Sequence, residues 1–173
     1  MPAYPRRHIL GREAELAIHC WTRCVRRAFL CGKDRYSGRD YEHRRLWIMD
    51  TEQQLADLFA IEIEFRAEMQ NHLHVVLRTR PDIAKRWPRE KVVRNWLKIT
   101  RIKRGSNIDA WEPPEALIKQ HLRDPDWVKQ RRRRLSNVSW FMGALCERIA
   151  RLGNEEDGCR TVGKITSTLF GRG

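Results

Sequence analysis

The sequence predicts an α+β domain built on a small antiparallel sheet, and three observations lead there. Two strand-like runs, 61–69 and 72–79, are separated by only Gln70-Asn71, the length and chemistry of a tight hairpin. A third run rich in β-branched and aromatic residues precedes them, between 15 and 30. The remaining segments carry apolar residues at steps of three and four, the rhythm of helices with one buried side. The resulting order is βα(α)ββα. A chain of 173 residues is long enough to enclose one core without disulfides or a structural metal.

In ELAIHCWTRCVRRAFL (15–30), Ile18, Cys20, Thr22 and Cys24 alternate with His19, Trp21, Arg23 and Val25, which predicts a strand. Cys31-Gly32-Lys33-Asp34 reads as a turn. Ser37 or Asp40 is placed to cap a helix through YEHRRLWIM. Asp50 followed by Gln53 has the form of a capping box, so the helix is expected to restart there with Leu55, Leu58 and Phe59 buried. After the hairpin, Pro81-Asp82 stops the second strand. Val92, Val93, Trp96, Leu97 and Ile99 predict a helix from about Arg89 to Ile102, ended by Arg104-Gly105-Ser106-Asn107. Glu115 to Leu122 reads as a short helix, and Asp124-Pro125-Asp126 carries the cap and early proline of a longer one. That longer helix follows Leu135, Val138, Met142, Leu145, Ile149 and Leu152 to a stop at Gly153-Asn154, with Ser136-Asn137 as a point where it would split. Residues 159–173 show no periodicity.

Composition narrows the function classes. No apolar run approaches the roughly 20 residues of a membrane span. The N-terminal MPAYPRRHILGREAE lacks the apolar segment of a secretory signal, so a cytoplasmic protein with no membrane partner is expected. Cys20, Cys24, Cys31, Cys146 and Cys159 are odd in number and lack CxxC spacing, which fits small buried thiols better than a disulfide framework or zinc site. The net charge of +13 is concentrated: residues 85–134 hold 16 basic and 6 acidic groups, whereas residues 1–84 hold 14 and 12. Such a segment is the electrostatic footprint of a polyanion, and nucleic acid is the leading candidate.

Within MQNHLHVVL (69–77), His72 and His74 share one face of a strand while Leu73, Val75 and Leu77 share the other. Two neutral imidazoles so placed can hold a divalent cation and leave positions for a third ligand and for substrate oxygens. A metal there polarises a phosphoryl oxygen during displacement at phosphorus. The plain alternative is a pair of histidines hydrogen-bonded to their neighbours. Among cationic residues, Lys91, Arg94, Lys98 and Arg101 stack on one side of the helix predicted over 89–102, and Lys103 and Arg104 continue the basic stretch. Arg131, Arg132, Arg133 and Arg134 surround a helix, so at most two of them face one groove. Trp21, Trp87, Trp111 and Trp127 offer rings on which bases can stack.

The stretch MQNHLHVVL with Pro81-Asp82 after it, the strand HCWTRCVRRAFL (19–30) and the helix RRRRLSNVSWFMGALCERIARLGNEEDG (131–158) together resemble the REP-associated tyrosine transposases of the HUH endonuclease superfamily. These are relatives of the single-tyrosine transposases of small insertion sequences, and the likeness extends to about Gly158. It implies a ferredoxin-like α+β fold with the histidine pair on a central strand. In the family, the metal held by the histidines aligns a single-stranded DNA phosphate. A tyrosine from a later helix then attacks phosphorus, forming a 5′-phosphotyrosine and releasing a 3′-hydroxyl. The resemblance makes His72 and His74 the metal-binding and catalytic histidines, with Mg or Mn as the cofactor and single-stranded or hairpin DNA as the partner. Homodimer formation is left open.

The sequence departs from the family in its tyrosines. Tyr4, Tyr36 and Tyr41 all precede the histidines, and the nucleophile is unassigned. Relaxases of the same superfamily do place theirs upstream, which makes Tyr36 or Tyr41 a weaker option. The expected organisation is a transposase-like domain over 1–158 and a divergent tail over 159–173, as a truncation or frameshift would leave, with the last strand and the tyrosine helix missing. The third metal ligand stays open among His19, Glu62 and Glu64. The expected function is that of a transposase-lineage DNA-binding protein with impaired nicking; a noncatalytic nucleic-acid-binding module is the alternative. A metallohydrolase of small substrates would leave the basic segment without a role.

Overall fold

The computed structural model describes residues 14–23, 30–103, 111–158 and 166–170, with only the backbone of Lys103 and of the last strand. The elements run β1 (Ala17–Arg23), α1 (Arg44–Leu58), β2 (Ile61–Glu68), β3 (His72–Thr79), α2 (Pro81–Arg86), α3 (Arg89–Lys103), α4 (Glu115–Leu122), α5 (Pro125–Arg134), α6 (Val138–Glu156) and β4 (Thr166–Phe170). The strands form one antiparallel sheet in the order β2-β3-β1-β4. Thus β1 and β2 point the same way, with β3 reversed between them.

Alternation along the two central strands makes the sheet two-faced. Leu73, Val75, Leu77 and Thr79 of β3 and Ile18, Cys20 and Thr22 of β1 are buried. Their neighbours His72, His74, Val76 and Arg78, with Ala17, His19, Trp21 and Arg23, occupy the opposite face and are half-buried or exposed. The buried side joins Ile48 and Leu55 of α1, Val92 and Val93 of α3, and Val138, Phe141, Met142 and Leu145 of α6 in a single core. Each such side chain contributes on the order of 1.5–3 kcal/mol by leaving water.

β2 is irregular. Its register against β3 shifts between Ile63 and Phe65, a bulge that puts Ile61 and Ile63 on the core side but Phe65 and Ala67 on the open side, opposite Val76 and His74. The same shift turns Arg66 and Glu68 toward α1.

Several expectations need correction. Helix α1 does not restart at Asp50 but runs unbroken from Arg44, because Thr51 donates its hydroxyl to the Trp47 carbonyl at 2.7 Å and Ile48, Thr51, Glu52 and Leu55 lie on one buried face. Neither Ser37 nor Asp40 caps it: Ser37 closes a turn on Asp34, and Asp40 accepts the Glu42 N–H at 2.8 Å ahead of the helix. Pro81-Asp82 ends β3 as expected and also starts α2, with proline in the first turn where no N–H is needed. The split at Ser136-Asn137 is present, with Asn137 accepting the Ser139 and Trp140 N–H groups. Helix α6 passes Gly153 and ends at Glu156; the left-handed residue after it is Gly158 at φ +65.

The tail contributes a strand. Thr166–Phe170, where the last strand was expected to be missing, pairs with β1 from His19↔Phe170 to Arg23↔Thr166. Backbone pairing with an edge requires no hydrophobic period, and the run TSTLF is rich in strand-favouring residues, so periodicity gave no sign of it. The expected helix stop at 104–107 lies outside the described residues. Cys20, Cys31 and Cys146 are free and buried, and burial pushes the Cys20 thiol up to about 12. Among the described residues no helix is long and apolar enough to cross a membrane.

Candidate metal and nucleic-acid site

Strand register decides what meets the histidine pair. Across the β1–β3 boundary Trp21 lies opposite His74, Arg23 opposite His72, and His19 opposite Val76. His19 is therefore the diagonal neighbour of His74 on the open face, within reach of a long planar side chain. Its Nε2 lies 3.0 Å from His74 Nδ1 with the rings stacked, centroids 5.1 Å apart and planes 13° from parallel. His72 meets His74 edge-on, with centroids 5.0 Å apart. The Asn71 side-chain oxygen sits 2.6 Å from His72 Nδ1. As an acceptor it draws the ring proton to Nδ1, leaving the Nε2 lone pair for a ligand.

The surroundings of His74 favour its neutral form. Burial, then the neighbouring His72 and His19, hold the His74 pKa below its ordinary value of 6.5. Neutral imidazole is the form that binds metal. Among the described residues no group of three His, Cys, Asp or Glu side chains is arranged to hold a metal ion, and His19 and His74 each turn one nitrogen toward the other. The donor chemistry suits a divalent ion to the extent of two imidazoles adjacent on one face, His72 and His74. Of the third-ligand candidates, Glu62 pairs with Arg80 at 2.5 Å and Glu64 pairs with Arg78. Both lie toward the Thr79 end of the hairpin. His19 is the candidate brought beside the pair, and strand parity alone left it equal to the two glutamates.

The tyrosines take different places. Tyr36 is 96% exposed at the tip of a turn in which Asp34 accepts its N–H at 2.9 Å. That loop is tied to the β2–β3 turn through the Leu30 N–H on the Gln70 carbonyl, 2.6 Å. Gly32, at φ +79, lets it pass so close to Gln70 that a Cβ would stand 3.2 Å from the Gln70 side chain. Tyr41 is stacked under the Arg44 guanidinium at 4.3 Å. Tyr4 lies outside the described residues.

The basic row on α3 serves its own chain. Arg94 pairs with Glu90 at 2.9 Å and also with Glu112 and Glu115, and Lys98 pairs with Glu112. Lys91 lies over Trp87 at 4.8 Å and Arg101 over Trp111 at 5.0 Å. A comb of cations at helical spacing suits a phosphate backbone, but it equally suits the acidic segment that returns along it into α4. The Lys103 side chain and Arg104 lie outside the described residues.

The four arginines of α5 separate. Arg132 donates to the Trp87 carbonyl at 2.7 Å and to that of Ala84, closing the end of α2. Arg133 is exposed. Arg131 and Arg134 share a side, as the spacing allows, and stack on Trp127, Trp96 and Trp140. Trp140 was missed by sequence reasoning, although its place six residues after Arg134, across the helix break, is the available signal. Trp21 remains on the open face beside His74. No family model, curated protein or solved structure matches this chain.

Proposed function

We propose that the protein is a transposase-lineage, HUH-type DNA-binding protein in which His72 and His74 hold a Mg or Mn ion against a phosphate of single-stranded or hairpin DNA. The observation that carries this reading is the projection of both histidines, with His19 beside them, from the open face of a central strand. Support comes also from the strand order β2-β3-β1-β4, which is the order of ferredoxin-like split βαβ folds. The concentrated positive charge of residues 85–134 supplies the attraction for a polyanion.

When bound, the ion supplies electrophilic stabilisation of phosphate charge. Asn71 orients His72, burial and then His72 and His19 favour a neutral His74, and Arg23, opposite His72 at the edge of the cluster, adds positive potential beside the phosphate. Every tyrosine of the sequence precedes the histidines, so strand cleavage is weak or absent in this reading.

A labelled DNA hairpin with a single-stranded flank tests it. Mn²⁺ is expected to tighten binding by the wild-type chain and to leave the H72A/H74A variant unaffected, with no covalent adduct in either. Equal metal response in both would remove the histidines from the site and leave the noncatalytic binding module. A denaturant-stable adduct that disappears in Y36F would overturn the assignment of impaired cleavage.

A further inference from the structure

Side chains from four helices form one continuous stack on the helical side of the molecule. His121 of α4 lies on Trp127 of α5 (ring centroids 4.2 Å, planes 15° apart), and Arg131 lies 4.5 Å from the Trp127 ring. Arg131 also lies 5.1 Å from Trp96 of α3, and Arg134 joins Trp96 at 5.6 Å to Trp140 of α6 at 4.2 Å. Trp96 and Trp140 meet edge-on at 5.4 Å.

Charge makes this more than packing. Arg44, Arg45, Arg78, Arg80 and Arg94 each contact at least one carboxylate, but among the described residues neither Arg131 nor Arg134 does. The two cations share one indole, and the Nε of Arg131 is buried without a hydrogen-bond partner. Burial, then the neighbouring Arg134, pull the pKa of Arg131 down, against a smaller opposing pull from the Asp124 carboxylate. Indole faces stabilise each guanidinium but bring no counter-charge into contact with it. Stacking covers the faces of a guanidinium and leaves its N–H edge, the edge that binds phosphate. Trp140, at the outer end of the stack, is 38% exposed.

We propose that the Arg134–Trp140 end of this stack binds single-stranded nucleic acid without metal, a backbone phosphate on the N–H edge of Arg134 and a base on the Trp140 ring. A single strand supplies both the anion and a free base face; a duplex hides its base faces, and an acidic peptide brings no ring of that size. The site is remote from the histidines. The Ala60 N–H bonds the Leu135 carbonyl at 2.8 Å, which places the α5–α6 junction beside the start of β2, at the Thr79 end of β3. His72 is seven residues away at the other end and on the other face of the sheet, about 23 Å along the strand at 3.3 Å per residue. The inference shares with the proposed function a single-stranded partner and requires nothing of the metal.

Fluorescence anisotropy of a labelled oligothymidine in EDTA tests it on the full chain. R134A and W140A, checked for fold by circular dichroism, are each expected to bind about tenfold more weakly, with the salt slope of R134A smaller by about one. EDTA removes any contribution of the metal, so a wild-type chain that shows no Mn²⁺ response while the R134A and W140A effects persist would defeat the metal reading alone. Unchanged affinity in both R134A and W140A overturns the proposal, as does a glutamate-rich peptide that competes as well as oligothymidine. Should a substitution unfold the chain, the wild-type tryptophan emission decides: oligothymidine is expected to quench it, and no quenching at saturation overturns the proposal.

Discussion

His19 Nε2 and His74 Nδ1 face one another at 3.0 Å across two strands, their rings stacked, so that one proton serves two imidazoles. Placing a second positive charge there opposes the first. The His74 pKa accordingly lies below 6.5, from burial first and then from His72 and His19. Between that lowered value and 6.5 the unfolded chain binds the proton more readily than the folded one, so this group's contribution to stability falls as pH drops through 6.5. In an NMR titration His74 is expected to titrate below 6.5, and H19A to move it upward. A His74 titration unmoved by H19A would contradict the contact.

Glu52 is fully buried in α1, and neither carboxylate oxygen has a hydrogen-bond partner. Arg66 approaches only to 3.6 Å, while Glu68 adds a like charge. Burial, with Glu68 beside it, raises its pKa to about 7. Between the ordinary 4.5 and about 7 the folded chain keeps a proton that the unfolded chain releases, so stability is lost as pH rises through that window. E52Q is expected to stabilise the protein at pH 8 by up to roughly 3 kcal/mol and to have little effect near pH 4. Urea melts at the two pH values check it; a loss of stability at pH 8 would show that the carboxylate has a partner after all.

Arg44 fastens the start of α1 to the end of α6 through Glu156 at 2.6 Å and Asp157 at 2.7 Å. Its own side chain is 8% exposed, but both carboxylates are about a third exposed and regain water when it is removed. R44A is therefore expected to cost roughly 1–3 kcal/mol, below the figure for a fully buried pair. Double-mutant cycles with E156A and with D157A check the coupling, and simple additivity in both would assign the loss to packing on Tyr41 instead.

The hairpin and the histidine face were legible because a period of two carries both messages at once: Leu73, Val75 and Leu77 go inward, and His72 and His74 outward. The break at Asn137 was legible for the same kind of local reason, since a capping side chain acts within three residues. Longer-range facts were not. Parity could not bring His19 to His74 without the β1–β3 register, and the α3 row could not reveal that Glu112 and Glu115 return to neutralise it. Asp50 and Gln53 met the pattern of a cap, but the buried face of α1 carried the helix through them.

Manganese binding followed by electron paramagnetic resonance at neutral pH, with wild-type protein and the H72A/H74A variant side by side, tests the central claim most directly. The wild-type chain is expected to capture Mn²⁺ and the variant, still folded by circular dichroism, to leave it free in solution. Equal capture by the two proteins, or none by the wild type, would contradict a metal site on the open face of the sheet.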